Sequence, residues 1–151
     1  MKRRERSTND KPRSVPWPVG GESDVVAVDT TWGEMQPLEA APGVRTVGEI
    51  ELVEMLGQGA QIIDSRTDGS FGGRTITGSL NIPHDKMLDR KDELDPERVS
   101  ILFCNGPQCP QSPWAIRQLL DDGYPARALA YYRGGMHDWV TMAMPTEPRG
   151  D

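Results

Sequence analysis

Ile101-Leu102-Phe103-Cys104-Asn105-Gly106-Pro107-Gln108-Cys109-Pro110-Gln111-Ser112-Pro113 is the stretch on which the fold turns. Three apolar residues read as a short buried strand. A loop of small and polar residues follows. Ser112 then reads as a helix cap with Pro113 at the first helical position, where the missing N–H costs nothing. Trp114, Ala115, Ile116, Leu119 and Leu120 supply the apolar side, and Gly123 stops the helix. Cys104 therefore sits at a strand end beneath a helix N-terminus, where amides and the helix dipole favour a thiolate.

The same alternation extends in both directions. Upstream, Thr46-Val47-Gly48-Glu49 reads as a capping box, Thr46 being the cap. Ile50, Val53 and Leu56 recur at helical spacing with Leu52 alongside, and Gly57-Gln58-Gly59 ends the helix. Gln61-Ile62-Ile63-Asp64 reads as a buried strand. Gly69, Gly72 and Gly73 mark a loop, and Gly78-Ser79-Leu80-Asn81-Ile82-Pro83 reads as a strand stopped by proline. Downstream, Ala128-Leu129-Ala130-Tyr131-Tyr132 reads as the last strand, and Gly134-Gly135 leads into a short helix through Trp139. Helices alternating with short buried strands predict an α/β fold: a central parallel sheet flanked by helices. Ligands in such sheets lie at strand carboxyl ends, where Asp64 and Cys104 both fall. Trp114 and Trp139 are expected in the core.

The 151 residues suffice for one ordinary domain. We expect a flexible N-terminal arm over 1–42, a folded domain over 43–147 and a tail over 148–151. Five prolines interrupt the arm, at 12, 16, 18, 37 and 42. Within it Val25-Val26-Ala27-Val28 reads as a short strand, and Trp17 and Trp32 are placed to pin the arm to the domain. Residues 1–13 carry six basic and two acidic side chains, net +4, which leaves −10 on the rest of a chain of net −6. So acidic a body is a poor surface for nucleic acid, and a short basic terminus is ordinarily solvated. No apolar run reaches the length of a membrane span, and no apolar core follows the basic start as in a signal peptide. Two cysteines make no disulfide framework. These features point to a cytoplasmic, reducing setting. His84 and His137 do not join the cysteines at any standard metal-ligand spacing, so neither a metal nor a cofactor is expected.

Four segments occur in order: Ile62-Ile63-Asp64-Ser65-Arg66, Gly78-Ser79-Leu80-Asn81-Ile82-Pro83, the Cys104 loop with its helix, and Gly134-Gly135-Met136-His137-Asp138-Trp139. Together they resemble a single rhodanese domain. The resemblance covers roughly residues 46–146. It implies a sulfurtransferase, or a carrier of sulfane sulfur, with Cys104 as the nucleophile. Its reactants would be a small sulfur donor and a thiol or cyanide acceptor, a protein thiol being one such acceptor. The loop departs from the family's usual one. Seven residues separate Cys104 from Ser112, none is basic, and the usual arginine before the serine is missing. Arg74-Thr75-Ile76 also stands where the family usually has Gly-His-Ile.

Pro107, Pro110 and Pro113 donate no N–H. What can cradle an anion is the set of amides of Asn105, Gly106, Gln108, Cys109, Gln111 and Ser112, with the side chains of Asn105, Gln108, Gln111 and Ser112. A neutral cradle suits a persulfide better than thiosulfate, a dianion. Cys109 reads in several ways: a resolving thiol, a guard against over-oxidation, a loop residue without a role, or the nucleophile itself. Asp64 and Arg66 are expected to buttress the site, and Arg133 to supply the positive charge that the loop lacks. Two other functions remain open: a non-catalytic rhodanese-like binding or regulatory module, and a thiol-disulfide redox protein using Cys104 and Cys109. A cysteine phosphatase would need an arginine in the loop to grip phosphate.

Overall fold

The computed structural model describes residues 17–27 and 35–150. In chain order its elements are β1 (Trp17–Val19), β2 (Glu22–Ala27), β3 (Arg45–Thr46), α1 (Glu49–Gly57), β4 (Gln61–Asp64), β5 (Arg74–Ile76), β6 (Leu80–Asn81), β7 (Ser100–Phe103), α2 (Gln111–Asp121), β8 (Leu129–Tyr131), α3 (Gly135–Thr141) and β9 (Thr146–Pro148). Five strands form one parallel sheet in the order β3-β8-β7-β4-β6. The expected α/β architecture is the one observed. Two antiparallel pairs accompany the sheet, β1 with β2 and β5 with β9.

Strand alternation divides the core into two layers. Ile63, Leu102 and Tyr131 pack with Ala115, Ile116 and Leu119 of α2. Ile62, Ile101, Phe103 and Ala130 pack with Leu52 and Met55 of α1 and with Met136 and Trp139 of α3. Helices thus cover both sheet faces, as a fully buried parallel sheet requires. Continuing the period of two past Leu102 brings Cys104 to the α2 side. β7 is buried at all four of its positions.

Several local expectations are corrected. The cap of α1 is Gly48, and Glu51 supplies the carboxylate that its N–H bonds. Thr46 instead closes β3, and its hydroxyl donates to the Leu38 carbonyl at 2.5 Å. The buried stripe of α1 is Leu52 and Met55, while Ile50 and Val53 are 76% and 49% exposed. Positions 52, 55 and 56 make the i, i+3, i+4 stripe; positions 50 and 53 lie on the flank turned to water. α2 starts at Gln111 with Pro110 as its cap residue, so Ser112 lies inside the first turn. Trp114 is 41% exposed and leans on His84, ring centroids 5.2 Å apart, because the α2 stripe facing the sheet is already filled by Ala115, Ile116 and Leu119. Trp139 is buried as expected, and its indole N–H donates to the Pro145 carbonyl at 2.7 Å. Leu129–Tyr131 is not the last strand, since β9 follows and pairs with β5.

The β1–β2 hairpin falls in the segment expected as an arm and contains Val25, Val26 and Ala27. Val28, Trp32, the basic residues 1–13 and the side chain of Trp17 lie outside the described residues. Ala40 and Val44 already belong to the α2-side core.

Candidate functional site

The site lies at the carboxyl ends of β4 and β7. Cys104 directly follows β7, and Asp64 is the last residue of β4. The Cys104 carbonyl accepts the Met136 amide at 3.0 Å, and the Asn105 carbonyl accepts the His137 amide at 2.9 Å. These bonds fasten the start of the loop to α3. The approach depends on Gly135, whose φ is +57° and whose added Cβ would overlap the Cys104 carbonyl oxygen. Gly135→Ala is expected to lose about 1–3 kcal/mol through this strain and overlap. A urea unfolding midpoint compared with wild type measures it.

Cys104 is 1% exposed. Its sulfur accepts the Ser112 amide at 3.4 Å, and its thiol donates to the Cys109 carbonyl at 3.3 Å. Burial pushes the Cys104 thiol up. It is outweighed by hydrogen bonding from the Cys109 side chain and from the Ser112 and Gly106 amides, so the group titrates below an ordinary thiol. Cys109, also 1% exposed, is pushed well up, by burial first and then by the neighbouring Cys104. The two shifts run in opposite directions, so Cys104 is the more acidic thiol of the pair and Cys109 the less acidic. That ranking favours Cys104 over Cys109 as the nucleophile.

The other expected loop residues divide into two groups. Ser112 and the Gly106 amide meet the sulfur. Asn105 turns away: its Oδ1 accepts the Ser70 hydroxyl at 2.5 Å and Arg66 Nη1 at 3.4 Å, and its Nδ2 donates to Asp68 at 3.2 Å. Gln111 Oε1 accepts the Thr67 amide at 3.0 Å. Both side chains thus tie the loop to the segment after β4. Gln108 Oε1 is buried without a partner.

Asp64 and Arg66 are fully buried and paired through two parallel bonds, Nε to Oδ1 at 2.9 Å and Nη2 to Oδ2 at 2.7 Å. Arg66 also donates to the Ser70 and Arg74 carbonyls at 3.2 and 2.6 Å. Thr75 donates to Asp64 Oδ2 at 2.8 Å. Every charged group here has partners, the condition under which such a pair can be buried. Arg133 points its guanidinium at the Gln36 carbonyl, at 2.8 and 3.2 Å, and the Gln36 amide donates to the Pro107 carbonyl at 2.7 Å. Among the described residues, Arg133 is thus linked to the loop only through the backbone of Gln36.

Two neighbours escaped the sequence reading. Ser65 donates to the Phe103 carbonyl at 2.8 Å and shares a 2.7 Å hydrogen bond with the Ser112 hydroxyl. Its place between Asp64 and Arg66 at a strand end was the available signal. Tyr131 is fully buried with its hydroxyl unpartnered; burial and then the Cys104 charge push that hydroxyl's pKa upward. Nothing in the strand pattern distinguishes it from a core aromatic.

Among the described residues no helix is long and apolar enough to cross a membrane. The chain is 29% identical over 86 residues to an HTH-type transcriptional regulator of Mycobacterium tuberculosis (strain ATCC 25618 / H37Rv). The match takes in 57% of this chain and 37% of that relative's length. Among solved structures it is similar to a thiosulfate sulfurtransferase from Pseudomonas aeruginosa, with TM-score 0.60 and 25% identity, covering 73% of this chain and 21% of that one. A rhodanese-related protein from Thermoplasma volcanium superposes with TM-score 0.56 and 19% identity, covering 70% of this chain and 99% of that one, a likeness of fold. The family model described as Rhodanese-like domain matches residues 50–142, more than half of the sequence, and the chain belongs to that family.

Proposed function

We propose that the chain is a sulfurtransferase or sulfane-sulfur carrier that loads sulfur on Cys104. The observation that carries this reading is the Cys104 sulfur at the end of β7, buried against the first turn of α2 and accepting the Ser112 amide at 3.4 Å, in a setting that lowers its pKa. The thiolate attacks the outer sulfur of a sulfane donor; the donor's S–S bond breaks and its remainder leaves as a thiolate or sulfite. Cys104–S–S⁻ then gives its outer sulfur to a small thiol, a protein thiol or cyanide, and Cys104 returns as a thiolate. No separate base is needed, because the site lowers the pKa of the thiol. The loop carries no cation of its own, which favours persulfide or polysulfide donors over thiosulfate. With Cys104 1% exposed, the donor enters when residues 105–110 move. This chemistry suits a reducing, cytoplasmic setting, with the working domain within 43–147.

Intact mass of the reduced protein after brief exposure to inorganic polysulfide, with excess donor removed, tests the reading. A species one sulfur heavier that discharges to cyanide supports it; no adduct at any donor concentration rejects it. A second reading, a rhodanese-like regulatory module without turnover, draws on the near-complete burial of both thiols and on the name of the mycobacterial relative. Turnover at ordinary enzyme rates would exclude it.

A further inference from the structure

We infer that Cys109 is the resolving thiol of this site: it converts the Cys104 persulfide into a Cys104–Cys109 disulfide and releases the carried sulfur as sulfide. The inference rests on the persulfide reading above and gives the site a second outlet, sulfane-sulfur reduction.

The two cysteines are partners within one short loop. The Cys109 amide closes a turn on the Gly106 carbonyl at 3.0 Å, which folds residues 106–109 back over the strand end. The Cys104 thiol donates to the Cys109 carbonyl at 3.3 Å, which sets the two residues side by side. Neither cysteine is otherwise bridged. Both are sealed from solvent, so a persulfide on Cys104 meets Cys109 before it meets an outside thiol. The pocket holds one more unpartnered donor. The Tyr131 hydroxyl is fully buried, without a hydrogen-bond partner, and close enough to both cysteines to feel their charge. A buried hydroxyl left unpaired is costly. An extra sulfur on Cys104 would give it an acceptor.

The step balances. Cys109 sulfur attacks the inner sulfur of Cys104–S–S⁻. The bond between Cys104 and the Cys109 sulfur forms, the persulfide S–S bond breaks, and the outer sulfur leaves as HS⁻ with the proton from Cys109. The carried sulfur gains two electrons and the cysteine pair loses two. A low-molecular-weight thiol or dithiol then reduces the disulfide by exchange, and is itself oxidised.

A single turnover in anaerobic buffer without added thiol tests this. Reduced protein receives a single equivalent of inorganic polysulfide, and free sulfide and intact mass are followed for wild type, Cys109→Ser and Cys109→Ala. Wild type should pass from one sulfur heavier to two hydrogens lighter than the reduced chain, with one sulfide released for each protein beyond the sulfide or shorter polysulfide that loading itself expels. Both variants should stay one sulfur heavier, with sulfide release slowed at least about tenfold until dithiothreitol is added. Peptide mapping of the wild type, which depends on no variant, should find Cys104 joined to Cys109. A wild type that keeps its sulfur, or variants that shed sulfide at the wild-type pace, overturns the inference and leaves the persulfide reading standing. Variants that are folded by near-UV circular dichroism yet take up no sulfur make Cys109 the acceptor and overturn it as well. A wild type that neither gains sulfur nor releases sulfide overturns both.

Discussion

Cys104→Ser should take up no sulfur from polysulfide and should lose transfer to cyanide by a factor on the order of 10³ or more, since the residue removed is the nucleophile itself. Serine keeps the shape and the hydrogen-bonding capacity at the end of β7, so the variant should fold. The hydroxyl is far less acidic than the thiol, and the site's donors do not bring it to an alkoxide. Intact mass after polysulfide treatment, read beside cyanide turnover, checks the prediction. An adduct that persists in the serine variant would move the chemistry elsewhere, to Cys109 first.

Arg66→Met should destabilise the fold by about 3–5 kcal/mol, because it leaves a buried carboxylate uncompensated. Asp64 and Arg66 have no exposed side-chain surface, and Arg66 also satisfies the carbonyls of Ser70 and Arg74. The double variant Asp64→Leu/Arg66→Met should recover much of the loss, since replacing both charges removes the desolvation cost along with the attraction. Urea unfolding of the three proteins measures the cycle. A single variant within about 0.5 kcal/mol of wild type would mean that the pair is a bystander. Arg66 also touches Asn105, so its loss should loosen the start of the cysteine loop as well.

The parallel sheet, its strands β4, β6, β7 and β8, and the place of Cys104 were legible because each rests on local pattern. Short apolar runs bounded by turn residues read the same with or without partners. Element starts were less legible. Thr46 and Ser112 both have the chemistry of a helix cap, yet both hydroxyls are taken by distant partners, Leu38 and Ser65. A cap competes with every other acceptor that folding brings within reach, and that competition is tertiary. Ile50 and Trp114 show the same limit for burial: helical spacing gives more than one apolar stripe, and the sheet takes only one.

The sequence by itself determined the order of α1, β4, β6, β7, α2, β8 and α3, the strand-end thiol, the second thiol five residues later and the charge-free loop between them. The tertiary structure decided how these residues divide their work. It turned Asn105 and Gln111 away from the sulfur, set Arg133 on Gln36, and buried both thiols against each other. The physical reason is that a residue's identity sets which proton or hydrogen bond it can give. Which neighbour receives it depends on contacts from β4, α2 and α3 that are far apart in the chain. Only that arrangement makes Cys104 the more acidic thiol and Cys109 the less acidic.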